Sequence, residues 1–274
     1  STELNDPLIA FSEIDRVLDA CYRFKRPVYI DLPRDMVHVV PAVSHADRRP
    51  SSDQDLLAME EAVRETLERL AAAQRPLIIA GVEIHRFGLQ GAVLQLAEEA
   101  GIPIATTILG KSVVRETHPL FIGLYEGALG REEVTRYVED SDCILLLGTF
   151  MTDINLGIYT AKLEVKNCIY ATSEQLQISY HHFPRVSLEA FIDRLIQAKP
   201  QVKQRPIPNG LHVKAPQPPA VAPDAPLRIS RMMAHLNAKL DSNTIVIADI
   251  GDALFAATEL VIHDSTDFIS PAYY

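Results

Sequence analysis

Two rhythms of apolar residues alternate along this chain. Ile14, Val17, Leu18 and Cys21 recur at the spacing of one helix face, and Arg26-Pro27 stops that helix. Val28-Tyr29-Ile30-Asp31-Leu32 then alternates as a strand does, ending at Pro33. A Pro-, Ser-, Asp- and His-rich stretch over 41–52 reads as a linker. Beyond it, Asp53 is positioned to cap a long helix over 56–73, with Leu57, Val63, Leu67 and Leu70 as its apolar positions.

From there short, wholly apolar runs alternate with helical patterns. Strands are predicted over 76–81 (PLIIAG), 102–107, 142–148 (DCILLLG) and 168–171. Between and after them, helices are predicted over 88–100, closed by Gly101, and over 132–139 and 188–198. Strands that are apolar along their whole length must be covered on both faces, which makes the sheet parallel and the helices its two outer layers. The fold class is therefore α/β: a Rossmann-like doubly wound parallel sheet with partial α/β segments on either side. Its divisions are 1–45, a central domain at 53–199, a Pro-rich spacer at 200–226, and a last α/β segment at 227–274. That segment reads as a helix over 228–240 with Ile229, Met232, Met233 and Leu236 on one face. A strand over 244–248, a short helix over 254–260 and a further strand over 267–269 follow. A unit of that size cannot cover both of its own faces, so it packs on the central domain or drives association.

Composition narrows the chemistry. A formal net charge of −10 with no basic stripe excludes a nucleic-acid partner, and no run approaches the length of a membrane span. The three cysteines, Cys21, Cys143 and Cys168, make neither a CxxC pair nor a zinc pattern. A reducing, cytoplasmic setting is expected. Several apparent motifs dissolve on inspection. Gly110-Lys111-Ser112 lacks the earlier glycine of a P-loop, since Ala105 stands there, so Lys111 and Ser112 are expected in a loop at the C-terminal edge of the sheet. Gly123, Gly127 and Gly130 do not match the dinucleotide fingerprint, and neither does the turn Gly81-Val82-Glu83-Ile84. His181 and His182, adjacent on a strand, are expected to face opposite ways, one inward and one to solvent, and so not to share a metal ion.

In order along the chain, residues 26–33 (RPVYIDLP), 81–90 (GVEIHRFGLQ), 106–113 (TTILGKSV), 118–127 (HPLFIGLYEG), 141–157 (SDCILLLGTFMTDINLG), 178–191 and 247–255 (IADIGDALF) resemble the thiamine-diphosphate-dependent 2-oxo-acid decarboxylases. The likeness is to the pyruvate, indolepyruvate and phenylpyruvate group. It covers essentially the whole chain. It implies the end of a pyrimidine-binding domain, a whole central domain, and the start of a diphosphate-binding domain.

The resemblance implies thiamine diphosphate and magnesium as cofactors of the complete enzyme. It also implies that Ile250, Gly251 and Asp252 touch the diphosphate, largely through backbone amides. Gly251-Asp252-Ala253 is not the family's magnesium-binding Gly-Asp-Gly, because its third residue is Ala and no Asn follows. The family's catalytic glutamate and histidines belong to a region before residue 1, and His38 and His45 come too late to replace them. No catalytic residue and no metal ligand is therefore assigned to this chain, and tight cofactor binding by it alone is not expected. Its function reads as a fragment or subunit of a non-oxidative decarboxylase that is inactive alone, partnered by a second copy or by complementary subunits. The alternative is a structural, regulatory or nucleotide-binding (FAD or ADP) module that assembles with partner chains.

Overall fold

In the computed structural model, the residues described are 1–41, 43, 45, 54–213, 218, 220, 226–263 and 267–271. The chain forms two compact units, Ser1–Gln54 and Asp55–Tyr274. In the first, strand β1 (Thr2–Glu3) pairs in parallel with β2 (Ile30–Asp31). Helix α1 (Ala10–Phe24) joins them, as a parallel pair requires. It buries Val17 and ends on Lys25 in the left-handed region, just ahead of Arg26-Pro27. The strand expected over 28–32 is thus shorter than its apolar pattern.

The second unit opens with α2 (Leu56–Ala72). Its cap is Asp55, whose carboxylate accepts the Ala58 amide at 3.1 Å; Asp53 lies outside the described residues. The buried face is Met59, Ala62, Thr66 and Leu70, while Leu57 is exposed. At about 100° per residue Leu57 falls well off the stripe centred on Leu70, so its apolar character does not place it in the core.

After α2 come β3 (Pro76–Ala80), α3 (Val82–Arg86), α4 (Gln90–Ala100), β4 (Ile104–Thr106) and β5 (Phe121–Leu124). Then follow α5 (Glu132–Glu139), β6 (Cys143–Leu147), β7 (Cys168–Ala171), β8 (Leu176–Ile178), β9 (His181–Phe183) and α6 (Leu188–Ala198). The sheet order is β5-β4-β3-β6-β7-β8-β9. Its first five strands are parallel; β8 and β9 add an antiparallel hairpin at the edge. The expected doubly wound sheet is present, with β5, β8 and β9 beyond the four strands that the apolar runs predicted.

Burial explains why the run CILLL of β6 carries no polar residue. Leu145 and Leu147 face one core with α2, α4 and α6, while Ile144 and Leu146 face another built on α5. Each such side chain contributes about 1.5–3 kcal/mol on burial, more than any helix cap at about 1 kcal/mol. Among the described residues helix α5 is the one helix of the second face, and Ile207 and Leu211 from the Pro-rich segment complete it. This segment is not a free spacer over its first half. Arg205 stacks on Tyr137 at 3.5 Å and bonds the Ser141 hydroxyl at 2.6 Å, and Gln204 donates to the Ala100 carbonyl at 3.1 Å. The histidine pair also departs from expectation: His181 and His182 are both exposed, because β9 is the sheet edge, and Phe183 is the residue that turns inward.

The unit closes with α7 (Ile229–Asn237), β10 (Val246–Ile247), α8 (Asp252–Ala257) and β11 (Phe268–Ile269), with β10 and β11 parallel. Met233, Ala248, Leu254, Leu260 and Ile262 form a third core with Ile108 of the sheet edge, so this segment packs on the central domain. The face of α7 turned inward is Met233, Ala234 and Asn237; Ile229, Met232 and Leu236 point outward.

Where β3 and β6 end, Gly81 and Gly148 meet. A Cβ on Gly81 would lie 2.3 Å from the Gly148 oxygen. Gly81→Ala is expected to cost more than about 2 kcal/mol by overpacking. Gly91→Ala in α4, where a Cβ meets nothing within 4 Å, should be neutral or stabilising by up to about 1 kcal/mol. Urea unfolding of the two variants against the parent checks both.

Candidate functional site

In an open parallel sheet the natural ligand crevice lies at the C-terminal strand ends, where the strand order reverses. Here that point is between β3 and β6, and it is filled. The Gly81 amide donates to Leu147 O at 2.9 Å and the Glu83 amide to Gly148 O at 3.0 Å, so the start of α3 spends its amides internally. Glu83 itself is wholly buried, its carboxylate accepting from the Ser173 hydroxyl at 2.5 Å and the Ser173 amide at 2.8 Å. A fixed carboxylate occupies the place a phosphate would take.

Polar chemistry instead gathers beside it, at the ends of β4 and β5. The Thr107 hydroxyl accepts the Gly110 amide, tightening a 3-10 turn over Ile108–Gly110. The chain then delivers Lys111 inward, at the C-terminal edge of the sheet as its sequence position implied. Its ammonium donates to Glu116 at 2.5 Å and to the Thr258 carbonyl at 3.2 Å, and lies 5.7 Å from the Phe268 ring centre. Both partners of the ion pair are almost wholly buried. Glu116 also accepts the Ile262 amide on its second oxygen, and its own amide donates to the Ile262 carbonyl. One ion pair thus ties the loop after β4 to the chain after α8. Lys111 is thereby committed to a buried ion pair between elements, consistent with the missing P-loop glycine.

Ser112 and His85 resemble a nucleophile and its base but are wired differently. Gln90 donates to His85 Nδ1 at 2.8 Å, which leaves the proton on Nε2, 3.0 Å from the Ser112 oxygen. That oxygen therefore accepts from His85 and from the Phe268 amide together. Burial lowers the His85 pKa, outweighing the opposing effects of Asp267 and Ser112. The pair fixes β11 and does not activate a hydroxyl. The cysteines are equally quiet: burial pushes Cys143 up to about 12 and Cys168 up to about 11.

The expected cofactor contacts, Ile250, Gly251 and Asp252, lie in the turn between β10 and α8. Gly251 sits at φ 76 with open space where a Cβ would project, and Asp252 is exposed. The Ile250 amide donates to Asp249 at 2.8 Å. Among the described residues no three His, Cys, Asp or Glu side chains converge on a metal position.

Sequence reading missed Glu126, which follows β5. It is 6% exposed, and among the described residues its Oε1 has no hydrogen-bond partner. Its backbone is fixed by Gly157, where a Cβ would lie 2.0 Å from the Glu126 carbonyl. With Lys111 it lines a cavity of about 720 Å³ between β5 and the chain around α8. Desolvation pushes its carboxyl up to about 7, against the pull of the Lys111 charge. The one available signal was a lone acid in the glycine-rich run 118–130.

Two outcomes follow from these buried charges. Lys111→Met should cost about 3–5 kcal/mol by leaving Glu116 unpaired, and the double variant Lys111→Met/Glu116→Gln should recover much of that loss in a urea double-mutant cycle. Because the Glu126 pKa is raised on folding, the folded state holds the extra proton between about 4.5 and about 7. Its burial therefore costs nothing below that window and its full amount above it. Glu126→Gln should raise stability at pH 8 by up to about 3 kcal/mol and leave it nearly unchanged at pH 4.5. Denaturation at both pH values measures the difference.

Comparison with known proteins places this architecture. Residues 63–199 match the family model described as "Thiamine pyrophosphate enzyme, central domain". The chain is 30% identical over 278 residues to indole-3-pyruvate decarboxylase of Azospirillum brasilense, covering 99% of this chain and 49% of that protein. It is 29% identical over 259 residues to pyruvate decarboxylase isozyme 2 of Saccharomyces cerevisiae, covering 93% and 46%. The chain spans about half the length of these curated relatives. Its fold matches crystalline benzoylformate decarboxylase from Polynucleobacter necessarius with a TM-score of 0.69 at 17% identity, over 98% of this chain and 51% of that one. With a central-domain match over half its length, the chain belongs to the thiamine-pyrophosphate enzyme family, and 2-oxo-acid decarboxylases align along nearly all of it.

Proposed function

We propose that this chain serves a non-oxidative 2-oxo-acid decarboxylase, converting a 2-oxo acid to an aldehyde and carbon dioxide, as its central domain and adjoining segments. The observation that carries this reading is the alignment of nearly the whole chain with indole-3-pyruvate and pyruvate decarboxylases. Thiamine diphosphate supplies the electron sink for such a reaction when bound. The chain's own part is to present the turn after β10. Ile250, Gly251 and Asp252 would meet the diphosphate there, through first-turn amides that have no acceptor inside the helix, the Ile250 amide itself being held by Asp249. The turn fits that group in shape, because Gly251 faces open space. Asp249 and Asp252 stand beside it, and magnesium, which prefers oxygen ligands, would offset the diphosphate charge there. Lys111 and Glu116 hold this segment to the sheet edge and so orient the turn.

Cofactor activation is assigned to regions that this chain does not supply, and the chain by itself is inactive in this reading. Nucleotide binding at the switch point is disfavoured by Glu83, so the central domain acts structurally. Assembly with a second copy or with complementary subunits is supported by the exposed Leu227, Ile245, Ile247 and Ile269. Among the described residues no helix is long and apolar enough to cross a membrane. The three unpaired cysteines fit the reducing cytoplasm as the setting.

The test is carbon dioxide release from pyruvate, phenylpyruvate and indolepyruvate with thiamine diphosphate and magnesium. This chain alone should give none; joined to regions carrying the family's catalytic glutamate and Gly-Asp-Gly motif, it should turn over. Turnover by the chain alone would overturn the division of labour, and an inactive joined protein would overturn the decarboxylase reading.

A further inference from the structure

Of the asparagines in the sequence, only Asn209 is followed by glycine. In an Asn-Gly step the next amide nitrogen can reach the side-chain carbonyl, because glycine carries no Cβ to hinder the approach. Whether that reaction runs in a folded chain depends on exposure and on what holds the two amides.

Here both are free. Asn209 and Gly210 are exposed, within a turn whose Leu211 amide donates to Pro208 O at 2.9 Å. Among the described residues neither the Asn209 side-chain amide nor the Gly210 N–H has a hydrogen-bond partner. Other asparagines are placed differently: Asn155 and Asn237 are buried, their side-chain amides donating to Phe150 O and Glu259 O. The fold does not need the glycine itself. Gly210 lies outside the left-handed region, and a Cβ there would meet nothing within 4 Å. What the glycine adds is an unhindered amide nitrogen.

The surroundings give the reaction a consequence. Leu211 is buried in the core built on α5, and Arg131, just ahead of that helix, donates to the Gly210 carbonyl at 2.8 Å. The turn thus anchors the Pro-rich segment on α5.

We propose that Asn209-Gly210 is a self-modification site, deamidating to isoaspartate and so loosening this anchor. The Gly210 nitrogen attacks Cγ of Asn209, and a C–N bond forms while the bond from Cγ to Nδ2 breaks. The Gly210 proton leaves with Nδ2 as ammonia, and a cyclic imide remains. Water then opens the ring at either carbonyl. Opening at the backbone carbonyl of residue 209 routes the main chain through the side-chain carbon; opening at Cγ gives aspartate. Water is the one co-reactant, and nothing is oxidised or reduced. The isoaspartyl form carries an extra main-chain atom inside the turn, which takes the Leu211 amide out of register with Pro208 O. The modification is independent of the decarboxylase reading.

The test is to age the whole chain in warm buffer at neutral and at alkaline pH, then digest it and map the peptides by mass spectrometry. The mass gain of an amide-to-acid exchange should appear at Asn209 before any other asparagine, with isoaspartate as the main isomer. It should appear faster at the higher pH, because the attacking amide must lose its proton. Gly210→Ala should keep the parent's melting curve and slow the conversion by at least about tenfold. Aged parent protein should melt about 2–4 °C below fresh protein, the effect of losing one turn hydrogen bond, while aged Gly210→Ala should not. Conversion seen only in urea, or a rate unchanged in Gly210→Ala, would overturn the proposal, and full conversion without a lower melting temperature would overturn the loosening. Should Gly210→Ala fail to fold, Asn209→Gln at the same exposed turn replaces it. A melting temperature that holds on ageing supports the site, and a fall equal to the parent's rejects it.

Discussion

The constraint on which the rest depends is the approach of two backbones at the centre of the sheet. β3 and β6 pair along five residues, and both chains turn away at a glycine, Gly81 and Gly148, with no room for a Cβ between them. Because Gly81 is small, α3 can start immediately and bury Glu83 where the strand order reverses. An open α/β sheet usually keeps this crevice for a ligand. Closing it makes the middle of the sheet a rigid support and leaves the two neighbouring strand ends, β4 and β5, as the part that faces other chemistry.

That shift explains the distribution of buried charge. Polar groups that would line a crevice elsewhere are here spent on joining elements. Glu83 holds the loop after β7 through Ser173, and Lys111 with Glu116 holds the chain after α8. His85 and Ser112 hold β11. Each is a satisfied arrangement, and each is expensive to break in a low-dielectric surrounding. Against that background Glu126 differs, since its carboxyl oxygen has no such duty among the described residues.

The architecture also bears on how the family's parts fit together. The segment 227–263 does not hang from a free tether: its Met233, Leu254 and Ile262 share a core with Ile108, and the Pro-rich chain before it is clamped by Arg205 on Tyr137. The turn bearing Ile250, Gly251 and Asp252 therefore has a fixed relation to the edge of the central sheet. Each of these apolar side chains contributes about 1.5–3 kcal/mol by its burial against the sheet.

Much of the fold was legible because it follows from nearest-neighbour chemistry. Runs such as CILLL and PLIIA can be buried only as strands covered on both sides, and α5 and α6 begin and end where their patterns do. Position on an element was less legible. Leu57, Ile229 and Leu236 are apolar yet exposed, because which stripe faces inward is set by the neighbour that covers it. The hairpin strands β8 and β9 and the cap at Asp55 escaped for the same reason: short segments are chosen by their partners. The resemblance to the decarboxylases was carried by contiguous motifs, which a sequence displays in full. The pairing of Lys111 with Glu116, the closure by Glu83 and the isolation of Glu126 depend on residues from separate segments arriving at one point. Only the folded chain decides such encounters, since charge and burial act through space and not along the backbone.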